Sequence, residues 1–429
     1  MTRPNSPWQS LDTRIAILFF ILTFVFSTAY VMVRPMGTLD EEPRVGAHVA
    51  RGHGFLTSLD PSATAEPTAW VPPGYPLLCA AVYGVLGVET PAALRTLLVI
   101  NAFAFGILIS GTFVVGRLVF GRQVAIVTAA LLIIHPIFFL RLTYFWHTYI
   151  AQAMLVWLVV FALLIARTKV TAVRLALFGC AFGLLVQING SFVFAAPVLG
   201  WLAVRHEKFP RQLTMAIISG ACFFAMILPW TYRNYSQFNE LMYIRRGAEL
   251  EMWIGNLRGS NGWQDLKEHP SVPFIETGPN PENIKMKEMG EKRYFAYCGE
   301  RFSEEYKHDP SAYWIRCVRR VGYLFVGPMS APSITQVRLS ARADLARWAF
   351  DMMIFVPAVC GLFLAWRRGY RFLWIVPLSL MSTIPYIISH VNYRFTMHIR
   401  LLLLMAAVFF VLSLLQRVRT GRWPHATVE

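Results

Sequence analysis

Three consecutive acids, Asp40, Glu41 and Glu42, stand where the first long apolar run of the chain ends, in the stretch GTLDEEPRVGAHVARGHGF (37–55). A carboxylate beside hydrocarbon is costly to desolvate, so such a cluster needs a structural task or a chemical one. The structural task is local. Asp40 takes an N-cap position, Glu41 and Glu42 complement the positive end of a helix dipole, and Pro43 is tolerated in a first turn. Residues 41–51 then form a short helix closed by Gly52 and Gly54. The chemical task uses the same geometry, because a short helix on the membrane surface aims Asp40 into a cavity where it accepts a proton. On local chemistry both readings stay open, and Glu42 reads as a helix-end charge. His48 and His53 bring metal-ligand chemistry to the stretch. On a short helix they do not share one face with Asp40, which argues against a cation there.

The segment that must hold these acids in place continues as EPTAWVPPGYPLL (66–78). Pro67, Pro72, Pro73 and Pro76 forbid a regular helix before about residue 76 and favour a stiff, extended approach to the membrane. Gly74 permits a tight bend, while Trp70 and Tyr75 suit the headgroup level.

Beyond the loop the chain is 56% hydrophobic and only 15% charged over 429 residues, which places it among polytopic membrane proteins. Runs long enough to span read as 14–33, 94–117, 122–141, 148–166, 173–188, 190–204, 212–231, 347–366, 372–389 and 398–416. The first run is longer than a signal-peptide core and lacks a cleavage site, so it reads as a retained span. If 74–88 does not cross and the N-terminus is cytoplasmic, every basic cluster between spans falls on the cytoplasmic side, as the positive-inside rule requires. The net charge of +16 is therefore an orienting signal and not a nucleic-acid footprint. This gives about 10 spans, both termini cytoplasmic, and 74–88 as a re-entrant or interfacial segment. The first loop (34–93) and a large polar segment (232–346) then lie outside. The chain divides into an N-terminal transmembrane module (1–231), that extracytoplasmic polar subdomain, and C-terminal transmembrane helices with a cytoplasmic tail (347–429). Cys298 and Cys317 share the polar segment and can pair if it is extracytoplasmic. In YWIRCVRRVGYLFVG (313–327), Trp314, Val318, Val321 and Phe325 form a seam beside Arg316, Arg319 and Arg320, the pattern of an interfacial helix on anionic headgroups.

The ordered set Asp40-Glu41, Ala47, Ala50, GHGF and PTAWVPPGYPLL resembles bacterial glycosyltransferase family 39. GRLVFGR (116–122), LPWTYRNYSQFNEL (228–241), WIGN (253–256) and NYRFTMHIRLLLL (392–404) extend the resemblance over nearly the whole chain. These relatives of the protein O-mannosyltransferases and aminoarabinose transferases have the GT-C fold. The resemblance implies an all-α bundle with juxtamembrane helices and one polar subdomain on its outer face. It also implies transfer of a sugar from a polyprenyl-phosphate donor to an extracytoplasmic acceptor hydroxyl, with inversion at the anomeric carbon. The family's catalytic carboxylate maps onto Asp40, with Glu41 beside it, and acts as general base.

A leaving phosphate needs fixed positive charge or donors near the outer boundary. Arg394 aligns with the arginine of the family's late motif, and His398 and Arg400 follow it. Arg394 has snorkelling at a span end as its alternative. Arg400 lies inside the last span, where it needs a partner or a polar cavity. Arg233, next to Asn234, is a second phosphate candidate with a loop anchor as its alternative. Many relatives carry a second acid after the third span. RLTYFWHTYIAQ (141–152) has none, and Arg141 and His147 occupy the region instead. With Trp70, Tyr75 and Asn256, His147 completes the expected substrate loops. No cofactor is implied, and the partners are a polyprenyl-phosphate sugar, membrane lipids and a lipid, glycan or protein acceptor. A transporter or flippase of lipid-linked sugars is the main rival. It would place ionisable groups at mid-membrane depth, whereas the polar residues here lie in outer loops. A degenerate, non-catalytic relative is the third reading.

Overall fold

The computed structural model describes residues 10–37, 39–57, 66–168, 170–263, 281–327, 341–370 and 372–423. Apolar runs become helices, and their ends fall where the backbone finds another partner. Thr90 accepts from the Ala93 amide at 3.2 Å to cap one helix, with Pro91 in its first turn, and Gly421 closes the last in a left-handed conformation. The first half of the chain runs α1 (Ser10–Val33), α2 (Glu41–Ala50), a two-stranded hairpin of β1 (Leu56–Thr57) and β2 (Glu66–Pro67), α3 (Gly74–Leu86), α4 (Pro91–Val119), α5 (Arg122–Ile133), α6 (Pro136–Phe139) and α7 (Thr148–Arg167). Next come α8 (Ala172–Ile188), a 3-10 turn (Gly190–Ala195), α9 (Ala196–Val204) and α10 (Phe209–Phe238). A polar region follows with α11 (Ala248–Gly255), α12 (Pro281–Met289), α13 (Glu291–His308) and α14 (Pro310–Phe325). The chain closes with α15 (Ala341–Arg367), α16 (Ile375–Met381), α17 (Ile384–Ile388), a second 3-10 turn (Tyr393–Thr396) and α18 (Met397–Thr420).

Among the described residues six helices are long and apolar enough to cross a membrane, against ten runs read in the sequence. They comprise α1, α4, α7, α10, most of α15, and α18 with its leading turn. The other four runs give shorter pieces. Pro136 follows the break after α5, Asn189–Gly190 separates α8 from the next turn, and 372–389 splits into α16 and α17 before Pro385. At 13 residues, α3 reaches about 20 Å, short of the roughly 30 Å hydrocarbon core.

The main core lies between α1, α4, α5, α7, α8, α9 and α18. At one end of the bundle Asp12 is fully buried between Arg117 (3.2 Å) and Arg122 (2.8 Å), which pins α1 to the α4–α5 turn and explains GRLVFGR. At the other end α2 packs closely on α3. A Cβ on Gly46 would lie 2.7 Å from both Cys79 Cβ and the Pro76 carbonyl, so no larger residue fits without moving the helices apart. A separate cluster joins Trp70 to Leu250 and Trp253 on α11 and to Tyr294, Phe295 and Cys298 on α13. Cys298 and Cys317, which the sequence left able to pair, are not joined. Both thiols are free and buried, Cys298 in that cluster and Cys317 on α14 beside Arg320.

Candidate functional site

Asp40 is delivered by a short tether. The Gly37 amide donates to the Thr143 carbonyl at 2.9 Å, which fastens the chain leaving α1 to the turn before α7. Asp40 then begins α2 at the N-cap position, yet its side chain makes no cap bond, so the capping reading holds for position only. Its carboxylate instead lies 3.3 Å from the Arg394 guanidinium, 354 residues away. Arg394 is placed by Asn392, whose side chain accepts from the Arg394 amide at 3.2 Å, and by the Trp146 ring 5.1 Å beneath its guanidinium. Trp146 also donates a hydrogen bond to Asp40, so one indole orients both partners.

The two adjacent acids titrate as a pair. Burial pushes Asp40 upward, but the Glu41 carboxyl, the Arg394 guanidinium, the Glu41 amide and Trp146 together hold it below its ordinary value. Glu41 is raised well above the usual carboxylate range by burial, then by the negative charge of Asp40 and the hydrogen bond they share. At neutral pH the pair therefore holds an ionised Asp40 beside the group that keeps the proton longer. Glu42 stands in the first turn of α2, as the helix-end reading has it, but it is more than a helix-end charge. It is buried, and its carboxylate lies 2.8 Å from His147 Nδ1.

The facing wall comes from the polar region. Glu251 on α11 lies 3.2 Å from Arg245 and 3.6 Å from His390. Burial pushes Glu251 up, but His390, Arg245 and Arg394 overcome it and hold the carboxyl below its ordinary value. Burial lowers His390, and the neighbouring Glu251 carboxylate opposes that shift. Glu291 of α13 ties the proline-rich loop to this wall, accepting from the Thr68 hydroxyl at 2.5 Å and the Ala69 amide at 2.9 Å. Between the walls lies a cavity of about 1320 Å³. Its polar end presents Asp40, Glu41, Glu42, His147, Glu251 and Arg394. Its other flank is apolar, with Phe192 and Phe194 from the 3-10 turn and Phe223, Phe224 and Ile227 from α10.

Of the residues singled out from the sequence, Asp40, Glu41, Arg394, His147 and Trp70 line this cavity. Six others do not. Arg233 donates to the carbonyls of Thr68 (2.7 Å) and Phe55 (3.0 Å), so it is the loop anchor and not a phosphate ligand. Arg400 is buried in an ion pair with Asp351 and also donates to Thr396 at 3.0 Å, which leaves no charge free for a phosphate. His398 is buried behind the wall, 2.8 Å from the Ser382 hydroxyl. Arg141 stacks over Tyr144 and Trp146, each 5.6 Å from its guanidinium. Tyr75 is fully buried with its ring against His147, not on an exposed face as a headgroup anchor would be. Asn256 is buried and accepts from Arg320 at 2.8 Å. Among the described residues no three His, Cys, Asp or Glu side chains come together as a metal site, and His48 and His53 only neighbour each other.

The sequence reading missed Trp146, Glu251, His390 and Asp351. Asp351 left a signal, a lone acid in an apolar run with an arginine also needing a partner. Glu251 and His390 are 139 residues apart, and nothing local links them.

Long apolar helices around one core, a short helix after the first span and a cavity between that helix and the last span make up a fold also found among solved structures. The chain superposes on the oligosaccharyltransferase AglB of Archaeoglobus fulgidus, in complex with an inhibitory peptide and a dolichol-phosphate, with a TM-score of 0.55 and 13% identity, over 98% of this chain and 53% of that one. A complex of the same enzyme with Zn and sulfate gives 0.54 at 12% identity, over 95% and 49%. The chain thus spans about half the length of this neighbour. ArnT of Cupriavidus metallidurans, bound to undecaprenyl phosphate, gives 0.42 at 12% identity over 95% and 78%, too weak a likeness to build on. No family model and no curated protein matches the sequence.

Proposed function

We propose that the protein is a membrane glycosyltransferase that moves a sugar from a polyprenyl-phosphate carrier to an acceptor hydroxyl on the extracytoplasmic face, in the manner of family 39. The supporting observation is the meeting of Asp40 and Arg394 at the polar end of a cavity with an apolar flank. An ionised carboxylate, a fixed guanidinium and a greasy wall suit an acceptor proton, a lipid phosphate and a polyprenyl chain respectively. Single ligand sites run to about 300–1,000 Å³, and this cavity exceeds that range, so it has room for donor and acceptor together.

In the free protein Arg394 neutralises Asp40. Inversion demands that base and leaving phosphate lie on opposite faces of the sugar, so donor binding must open the ion pair, Arg394 following the phosphate. Asp40, relieved of its guanidinium, becomes more basic as the acceptor arrives. It then takes the hydroxyl proton while that oxygen bonds to the anomeric carbon. The carbon–phosphate-oxygen bond breaks, its electron pair leaves with the polyprenyl phosphate, and Arg394 meets the charge. Glu41 stays protonated and donates to Asp40, and Glu251 with His390 closes the far side of the sugar position.

The test is transfer by the purified chain from a panel of polyprenyl-phosphate sugars, with Asp40→Asn and Glu41→Gln alongside. Turnover in the wild type that vanishes in Asp40→Asn supports the assignment. Retained turnover in Asp40→Asn removes the base from this residue, and loss confined to Glu41→Gln moves it by one position.

A further inference from the structure

The basic face read on α14 is divided by the fold. Arg320 is fully buried, donating to the carbonyls of Gly262, Ile387 and Ile388 at 3.1, 3.1 and 3.2 Å and also to that of Gly255. Arg316 is half-buried and donates to Asn256 at 3.3 Å. Arg319 alone is exposed, with no partner among the described residues. It rims a groove of about 310 Å³ between α14 and α15, lined among others by Gly322, Tyr323, Phe325, Trp348 and Phe355.

Two features set this groove apart. Gly322 has ordinary helical backbone, and a Cβ added there would meet nothing within 4 Å. Neither strain nor close packing requires a glycine, and glycine inside a helix is less favourable than alanine, so its effect is to keep the groove floor bare. The surroundings are apolar and outward-facing. Trp314 and Val318 are 57% and 73% exposed on α14, and Met353 and Val356 are exposed on the spanning helix α15. Among the described residues no acid lines the groove, and the one charge there is the arginine at the rim.

We propose that this groove holds one anionic phospholipid, its headgroup phosphate on Arg319 and part of an acyl chain laid over Gly322 between the aromatic rings of α14 and α15. The volume suits a portion of one chain and not a whole lipid. The occupant fastens α14 to the bilayer at the residue preceding Arg320, the side chain that holds the segment leading to His390 and Arg394. The site stands apart from the cavity and does not depend on its chemistry.

The full chain, purified from equimolar phosphatidylglycerol and phosphatidylcholine of identical acyl composition, is weighed intact by native mass spectrometry to count retained lipids. Wild type retains phosphatidylglycerol over phosphatidylcholine by about fivefold, as one basic residue facing an anionic lipid provides. Arg319→Gln abolishes that preference, and Gly322→Leu lowers retention of both lipids by filling the floor. Arg319→Gln alters an exposed side chain that holds no contact among the described residues, so the comparison stands even if Gly322→Leu fails to fold. Equal retention of the two lipids by wild type, or an undiminished preference in Arg319→Gln, overturns the proposal. Displacement of the Arg319-dependent phosphatidylglycerol by added polyprenyl phosphate also overturns it and gives the groove to a different lipid, whereas polyprenyl phosphate retained alongside that phosphatidylglycerol sits in the cavity and upholds it.

Discussion

Arg394 and Arg400 stand six residues apart at the start of the last span, and each meets one acid from a distant element. Asp40 and Arg394 are 28% and 27% exposed, 3.3 Å apart, and both line the cavity. Asp351 and Arg400 are 0% and 3% exposed, and Thr396 and the Gly327 amide take up further hydrogen-bonding capacity. A sealed pair whose remaining groups are satisfied can only hold helices together. A pair at a cavity wall, held by one contact and oriented by a shared indole, can exchange its partner for a ligand. The chemistry of the two pairs is alike, and access separates them.

Asp40→Asn breaks the comparison hardest. It should lower transfer by about 10²- to 10⁴-fold, the usual contribution of a general base, while thermal stability stays within about 1 kcal/mol of wild type. Asp351→Asn should do the reverse. Stranding the buried Arg400 charge costs about 3–5 kcal/mol, read as loss of folded protein in detergent, and the double change Asp351→Leu with Arg400→Met should recover most of it. Equal damage to folding from Asp40→Asn and Asp351→Asn would erase the distinction.

Finer changes sharpen it. Arg394→Lys keeps the charge but loses the planar fork, so the KM for donor should rise roughly tenfold or more. Trp146→Phe keeps a ring under Arg394 and removes the indole donor that helps lower Asp40. A base works only when ionised, so activity falls as pH drops through the Asp40 pKa. Loss of the donor raises that pKa, and the acid limb of the rate profile should move to higher pH. Glu41→Gln addresses stability. Because Glu41 is raised in the folded state, its contribution is fully present below the unfolded carboxylate pKa and is lost as pH rises through the folded one. The glutamine variant cannot ionise, so its melting temperature should vary less over that window.

Much of the site was legible because it rests on local signals. The position of Asp40, the prolines of 66–78 and the arginine of NYRF are read within a few residues each, and their order along the chain supported the resemblance. The roles of the remaining arginines were not legible. Arg233, Arg394 and Arg400 all stand near helix ends in apolar surroundings, and local pattern does not separate a clamp on carbonyls, a cavity ligand and a sealed ion pair. Which of the ten apolar runs stay single helices was not legible for a related reason. Apolar composition shows that a segment avoids water, but Pro136, Pro385 and Asn189–Gly190 decide whether it stays one helix.

By itself the sequence determined that the chain lives in a membrane, where its helices run, and that an acid begins a short helix after the first span. Those properties follow from hydropathy, backbone propensity and capping, which act over a few residues. Only the tertiary structure decided which arginine that acid meets, that Glu42 is buried on His147, and that Glu251 and His390 close the opposite wall. These depend on which side chains lose water together, and that is set by packing between segments hundreds of residues apart.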